Sequence, residues 1–220
     1  KLQPTLIDAD FRRGSQERLL LGETPVLAQQ HEGPGGRKQV IRPVTGVEVF
    51  YNGTSTTDVD KKAAAALVAD GYRMFLTGPF YFLNGNLHLE MSEPEKVGGR
   101  ACTTLIAVRR PGHGFSAEDR YLLFIDQEEK LLRRVRFSME GLDSTRGAIA
   151  EVDFYEHRRI AGMLWPTRFH ERLKKPIPNL PVHDWYLTGL DINRGMQADE
   201  ISGATFNGRA QAPALALPPR

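Results

Sequence analysis

The sequence predicts a mostly β fold: one large, curved antiparallel sheet or barrel, with a single helix among the strands. About ten short segments alternate apolar and polar residues at period two, and Gly, Pro or Asn bounds most of them. These segments follow one another at intervals of roughly 10 to 20 residues, which favours an antiparallel sheet over a βαβ arrangement. One further segment has helical spacing instead.

The clearest predicted strand is residues 131–140. Because side chains in a strand alternate between faces, it should have one buried and one solvated face, as an antiparallel sheet allows. The predicted buried side carries Leu131, Arg133, Val135, Phe137 and Met139. The predicted solvated side carries Leu132, Arg134, Arg136, Ser138 and Glu140.

Turn residues separate the other predicted strands. Residues 24–30 and 38–43 flank Gly33-Pro34-Gly35-Gly36, where glycine allows the positive φ angles of a tight turn. Residues 47–51 end at Asn52-Gly53, which is typical of a hairpin. The remaining predicted strands are residues 86–91, 101–109, 121–126, 148–156, 164–172 and 182–193.

The helical segment is residues 57–76. Thr57 is the predicted N-cap, with Asp60 three residues further on, and a run of alanines favours the helix. Gly71 either ends the helix or marks a bend in it. An aromatic cluster follows, made of Phe75, Phe80, Tyr81 and Phe82.

The composition indicates one globular domain. The chain has 220 residues, 40% hydrophobic and 25% charged, and it shows no internal repeat or interdomain linker. We predict a single domain over residues 1–206 and a flexible Ala/Pro-rich tail over residues 207–220. The net charge is +2 and both signs are spread along the chain, so no nucleic-acid partner is expected. No run of residues is long and apolar enough for a membrane span.

Catalytic and metal-binding signatures are absent from the sequence. There is no GxSxG elbow, Walker loop or HExxH motif, and no two histidines stand at a metal-ligand spacing. Cys102 lies in an apolar run and is predicted to be a small buried side chain. We therefore expect no cofactor, no metal and no catalytic residue. The densest ionisable groups are Asp153, Tyr155 and His157, and the pair His183-Asp184.

The aromatic residues leave two structures open. They supply a large contact area on the predicted strands and on the helical segment. A sheet that curls halfway under a helix can enclose an apolar cavity, but the same side chains can equally fill a solid core.

The second half of the chain resembles a known family. Residues 151–167 read as a strand with an aromatic-rich end, a turn with a small residue and Gly, then a hydrophobic residue before Pro-Thr. This hairpin is similar to one in the LolA/LppX-like proteins, which include periplasmic lipoprotein carriers. Residues 121–126 with 131–134, 185–193 and 47–53 resemble other parts of that family, and the resemblance extends over about residues 20–206.

The resemblance implies an unclosed half-barrel whose open side is covered by helices. Carriers of this kind hold acyl chains between the concave face of the sheet and a helical lid. The implied lid residues are Leu67, Met74, Phe75, Phe80 and Phe82. The implied concave-face residues are Val135, Phe137, Met139, Trp165 and Phe169.

Three functions follow from these observations. The first is a non-enzymatic envelope protein that binds a lipid or acyl chain in a half-barrel groove, with another envelope protein as a further partner. The second is a protein-interaction module that uses the sheet edge or the convex face. The third is a cryptic hydrolase built on Asp153, Tyr155, His157 and His183-Asp184. A periplasmic or envelope location is expected, with any leader upstream of Lys1.

Overall fold

The computed structural model describes residues 5–11, 16–21, 27–43, 45–83, 87–193 and 215. The first part of the chain forms β1 (Thr5–Phe11), β2 (Gln16–Leu21), β3 (Leu27–Gly33), β4 (Gly36–Arg42), β5 (Glu48–Tyr51) and β6 (Thr54–Ser55). Two helices follow, α1 (Val59–Thr77) and α2 (Pro79–Leu83). The remaining strands are β7 (His88–Val97), β8 (Arg100–Arg109), β9 (Asp119–Asp126), β10 (Leu132–Ser138), β11 (Ile149–Tyr155), β12 (Arg158–Ile160), β13 (Met163–Trp165), β14 (Arg168–Lys175) and β15 (Leu180–Asp191).

The sheet is open, and its edge strands are β6 and β7. The order of hydrogen-bonded neighbours is β6-β5-β4-β3-β2-β1-β15-β14-β11-β10-β9-β8-β7, while β12 and β13 form a separate two-stranded sheet. Strands hold 54% of the residues and helices 16%, and the sheets are antiparallel. These features confirm the predicted class, a mostly β protein with an unclosed sheet and a covering helix.

The chain divides into two compact units. The first unit contains residues 1–73 and 185–220, and the second contains residues 74–184. In the first unit, Arg42 at the end of β4 binds Asp70 of α1, with 3.2 Å between Nη2 and Oδ2. Further along α1, Tyr72 packs edge-on against Trp185 of β15, with ring centroids 4.6 Å apart. One charged and one aromatic contact therefore hold this part of α1 to its sheet.

Both predicted hairpin turns of the first unit are confirmed. Gly33 and Gly36 pair at the end of the β3–β4 hairpin, and Gly36 has a φ of 103°. This φ strains any residue that has a Cβ, and a Cβ at Gly36 would also lie 2.6 Å from Oδ1 of Asn52, so the position favours glycine. Asn52 and Gly53, with φ angles of 49° and 83°, connect β5 to β6. Positive φ at two successive positions is typical of a type I′ turn.

The helix forms where it is predicted, but its caps differ. The backbone N–H of Lys61 donates to Oδ1 of Asp58 at 3.0 Å, so Asp58 rather than Thr57 is the N-cap. α1 continues through Gly71 to Thr77. It ends at Gly78, which has a φ of 52° and whose N–H donates to the Met74 carbonyl at 3.0 Å.

A β-bulge changes which side chains of residues 131–140 are buried, so part of the predicted assignment of faces is wrong. The pairing of β10 with β9 shifts between Leu132 and Arg134. The extra residue places Leu132, rather than Leu131, in the core, while Val135 and Phe137 are buried as predicted. Arg133, which was predicted on the buried side, forms an ion pair on the solvated side, with its Nε 3.2 Å from Oδ2 of Asp126.

Other strand boundaries also differ from the prediction. The predicted strand 164–172 is interrupted at Pro166-Thr167, so β13 ends at Trp165 and β14 begins at Arg168. β1 and β2 were not predicted, and the first fifteen residues show no clear period. The predicted limits of the domain and of its tail stay predictions, and residues 207–214 and 216–220 lie outside the described residues.

Assigning the N-cap of α1 to Asp58 or to Thr57 leads to different expected effects of mutation on stability. Asp58→Ala should lower the urea midpoint of unfolding, because the N–H of Lys61 loses its acceptor. Thr57→Ala, the matched control, should leave the midpoint unchanged. A larger loss in Thr57→Ala than in Asp58→Ala would contradict this assignment of the cap.

Candidate functional site

The strand register of the second unit defines which face of its sheet the helices cover. Residues directly opposite one another in antiparallel strands point to the same face. Phe137 of β10 lies opposite Tyr121 of β9 and Ala150 of β11. The ring of Phe75, near the end of α1, packs on Phe137 with centroids 5.6 Å apart. We call the face that carries Phe137 the inner face and the opposite one the outer face.

An aromatic seal joins the end of α1 and α2 to the strands of this unit. Its members are Phe75, Phe80, Phe137 and Trp165. Phe80 of α2 stacks on Trp165 of β13, with centroids 4.9 Å apart and planes at 27°. The indole N–H of Trp165 donates to the carbonyl of Leu76 at 3.0 Å. This carbonyl lies in the last turn of α1, where the helix itself supplies no donor, so Trp165 satisfies it in the buried interior.

A buried polar cluster also holds α2, through the hydroxyl of Tyr81. Nε2 of His113 lies 3.0 Å from the hydroxyl of Tyr81 and 3.2 Å from the hydroxyl of Tyr121. The backbone N–H of His113 donates to Oδ2 of Asp119 at 2.5 Å. Gly112 permits this contact, because a Cβ there would lie 2.6 Å from the Asp119 carboxylate. The His113 cluster therefore connects α2, the β8–β9 loop and β9 through hydrogen bonds.

Burial sets the protonation state of the cluster. It lowers the pKa of His113 to about 3, and the positive charge of Arg109 acts in the same direction. Burial also raises the pKa of Tyr121 above its ordinary value. The imidazole and the phenol are both neutral near pH 7, which suits a structural hydrogen-bond cluster in an apolar setting.

The structure places nine of the ten predicted lining residues in the second unit. Phe75, Phe80, Phe137 and Trp165 form the aromatic seal. Phe82 contacts Tyr121, with centroids 5.3 Å apart, and Phe169 contacts Phe154 at 5.7 Å. Val135 and Met74 are fully buried, and Met139 is half-buried just beyond the end of β10. Leu67, also buried, belongs to the first unit. Trp165, predicted on the concave face, lies in the small β12–β13 sheet instead. Whether these residues line a ligand site stays a prediction.

The inner face also has an exposed part, which the sequence did not identify as a site. Across β10, β9, β8 and β7, one row of directly opposed residues is Val135, Leu123, Leu105 and Met91. The next row is Phe137, Tyr121, Ala107 and Leu89. We call these two rows the apolar track. Its β10 end is buried, whereas Leu89 and Met91 on β7 are 50% and 66% exposed.

The apolar track was visible only in part from the sequence. Leu89 and Met91 alternate with polar residues inside a predicted strand. Alternation shows that two side chains share a face, but not that this face continues onto one covered by a helix. That connection depends on the register of β7 with β8.

The outer face carries a network of ion pairs. Arg134 and Arg172 both bind Asp153, with Nε–Oδ1 and Nη1–Oδ2 distances of 2.5 and 2.7 Å. Arg136 binds Glu151 at 2.7 Å. Burial alone would raise the pKa of Asp153, but hydrogen bonds from the two arginines hold that pKa below its ordinary value. Paired charges therefore cover the β10–β11–β14 part of this face, where an apolar ligand has little to contact.

The ionisable groups of the catalytic hypothesis are divided between the two faces of the sheet, with Asp184 close to Arg168, which lies opposite Tyr155. The hydroxyl of Tyr155 donates to Asp153 at 3.0 Å on the outer face. His183 contacts Glu171, with 2.5 Å between Nδ1 and Oε2. Glu171 lies directly opposite Val152, which places this pair on the inner face. Asp153 and His183 therefore occupy opposite faces of the sheet.

Within the described residues, no group of three or more His, Cys, Asp or Glu side chains could hold a metal ion. Cys102 is buried, as predicted, and burial raises the pKa of its thiol. None of the helices in the described part of the chain is long and apolar enough to cross a membrane.

Comparison with solved structures identifies the class of fold. A LolA superfamily protein from Nitrosomonas europaea matches with a TM-score of 0.58 and 13% identity, over 90% of this chain and 88% of that one. A domain from Vibrio parahaemolyticus named for outer membrane lipoprotein sorting matches with a TM-score of 0.52 and 9% identity, over 90% and 89% of the two chains. A DUF1329 family protein from Desulfovibrio piger matches with a TM-score of 0.51 and 11% identity, over 91% and 88%.

These matches show a LolA-like fold, which confirms the fold that the resemblance implied. No protein-family model matches the chain, and no curated protein matches its sequence. At 13% identity or less, the similarity is one of fold, and function has to be argued from the site.

The buried state of His113 makes stability depend on pH. An unfolded histidine binds a proton below about pH 6.5, whereas folded His113 stays neutral down to about pH 3. Between these values the unfolded state binds more protons, so the free energy of unfolding falls as the pH falls. His157 acts in the same direction, because burial lowers its pKa to about 4.

We expect the unfolding free energy to fall by about 2 kcal/mol from His113 alone between about pH 6.5 and pH 5. His113→Gln, which keeps a polar atom near the tyrosine hydroxyls, should show a smaller fall. The exposed His88→Gln is the control and should keep the wild-type dependence. Urea unfolding at each pH measures the effect. An NMR titration in which the His113 ring protonates near pH 6.5 would contradict this account.

Proposed function

We propose that this chain is a non-enzymatic protein of the periplasm or cell envelope that binds a lipid or acyl chain against the inner face of its sheet. The observation that carries the proposal is the apolar track. It begins at exposed side chains on the edge strand β7 and continues, without a charged residue in either row, to the buried residues next to the aromatic seal. A ligand could therefore make its first contacts at the edge and extend inward.

The contrast between the two faces supports an apolar ligand. The inner face offers Leu, Val, Phe and Met side chains, whereas the outer face is occupied by arginine–carboxylate pairs. Burying a methylene group contributes about 0.8 kcal/mol. About ten methylenes would contribute about 8 kcal/mol before the cost of association is subtracted. Such affinity needs no specific polar contact, which suits a carrier.

The predicted lining residues have a different role in this proposal. Phe137 and Trp165 are 4% and 0% exposed, so a ligand cannot touch them while the aromatic seal is closed. Leu89 and Met91 are accessible as they stand. We infer that they form the first binding contacts and that deeper entry requires the ends of the helices to separate from the inner face.

The names of the structural neighbours agree with this proposal. One is named for outer membrane lipoprotein sorting and another for the LolA superfamily. Those names concern the neighbours themselves. Together with the apolar track, they are the reason for preferring a lipid or lipoprotein acyl chain, and an envelope location, over other apolar ligands.

A second candidate function is protein binding by the edge strand. Nearly all of β7 is exposed, and an exposed edge can accept a partner strand. Pro94 and the register shift between Ser92 and Glu95 interrupt the second half of β7, so only residues 88–92 are suited to such pairing. This candidate predicts a bound protein and no uptake of free acyl compounds.

Uptake of a fluorescent fatty acid tests the first proposal. Wild-type protein should bind the probe, and Leu89→Ser with Met91→Ser should weaken binding about thirtyfold, since each change removes about 1 kcal/mol of apolar contact. The matched control is Ile177→Ser with Leu180→Ser, which changes two comparably exposed apolar residues away from the track. Equal affinity in wild type and the track variant would contradict the assigned site. No uptake by wild type would contradict the function.

A further inference from the structure

The β14–β15 hairpin projects a cluster of apolar side chains into solvent. Residues 174–182 are all exposed, and they include the four-residue turn between Lys175 and Leu180. Ile177, Leu180 and Val182 are 55%, 42% and 40% exposed. Leu180 and Val182 share one side of β15, and the N–H of Leu180 contacts the carbonyl of Ile177 at 3.4 Å. These three residues all belong to the exposed end of the hairpin, which we call the hairpin tip.

The hairpin tip is also basic. Residues 172–183 contain Arg172, Lys174 and Lys175, and no Asp or Glu. Arg172 is engaged by Asp153 and Glu151 on the outer face. Nζ of Lys174 lies 3.7 Å from Glu151, but 44% of its side chain is exposed, and Lys175 is exposed as well. Two ammonium groups thus stand directly beside the apolar cluster.

The turn that presents these residues is restrained. Pro176, Pro178 and Pro181 limit the backbone around the tip. The N–H of Asn179, at a φ of 61°, donates to the carbonyl of Leu173 at 2.8 Å and closes the turn. A restrained backbone keeps the apolar side chains exposed, because they cannot easily fold back onto the sheet. Little ordering is then needed when the tip meets another surface.

We propose that the hairpin tip docks onto the surface of an anionic lipid bilayer. Ile177, Leu180 and Val182 enter the boundary between headgroups and acyl chains, while Lys174 and Lys175 lie at the level of the negatively charged headgroups. Apolar residues next to lysines are the combination that interfacial membrane binding uses, and residues 172–183 themselves contain no Asp or Glu that would repel an anionic surface. This charge complementarity selects the bilayer over an uncharged apolar partner. This inference goes beyond ligand binding, because it concerns the surface to which the protein binds when it takes up or releases a ligand.

Co-sedimentation with vesicles tests the proposal. Wild-type protein should sediment with phosphatidylcholine vesicles that contain phosphatidylglycerol, more weakly with pure phosphatidylcholine, and less as ionic strength rises from about 0.15 M to about 1 M. Changing Ile177, Leu180 and Val182 to Ser should reduce the bound fraction strongly. Lys174→Gln with Lys175→Gln should weaken partitioning about tenfold or more.

Two control variants separate this proposal from the others. Lys61→Gln with Lys62→Gln removes the same charge from the start of α1 and should leave vesicle binding unchanged. Leu89→Ser with Met91→Ser should also sediment like wild type, although it takes up fatty acid poorly. Conversely, the tip variants should take up fatty acid normally. The proposal would be overturned if wild-type protein did not bind anionic vesicles, or if the tip variants bound them as well as wild type. Either result would do so whatever the outcome for ligand uptake.

Discussion

The hydrogen bond from the indole of Trp165 to the carbonyl of Leu76 is the contact on which the candidate site depends. It satisfies a buried helix-end carbonyl that α1 leaves without a donor of its own, and the same indole supports Phe80 of α2 by stacking. Together with the packing of Phe75 on Phe137, it holds both helix ends on the inner face. The end of α1 and α2 are therefore held on the inner face by a few aromatic contacts together with the hydrogen bonds of the His113 cluster.

The two faces of the sheet in the second unit differ in the side chains that they carry. Alternation along β10 and β11 directs Val135 and Val152 inward, and Arg134 and Asp153 outward, and the strand register aligns equivalent side chains across neighbouring strands. The arginines and carboxylates of the outer network pair with one another, so that network stabilises the sheet. On the inner face the two rows of the apolar track carry no charged residue, and they reach solvent at β7.

Local patterns in the sequence predicted much of this fold, and contacts between distant residues account for most of what was missed. Alternation identified β10 and the burial of Val135 and Phe137, but the bulge at Arg133 depends on pairing with β9 and could not be read from residues 131–140 alone. The contact between Trp165 and Leu76 joins positions 89 residues apart, so no local pattern indicates it. The family resemblance pointed to the helix and sheet residues that meet in the aromatic seal. It did not point to Leu89 and Met91, because the exposure of an edge strand follows from the order of strands in the completed sheet.

The central claim is that the inner face of this protein holds an acyl compound. Native mass spectrometry of freshly purified protein, followed by organic extraction and lipid analysis of the same sample, tests it most directly. The account predicts a bound mass that organic solvent releases and that lipid analysis identifies as an acyl compound in near-stoichiometric amount. Protein of the bare chain mass, with no extractable lipid and no adduct after incubation with a fatty acid, would contradict it and would leave the fold as a scaffold for protein binding.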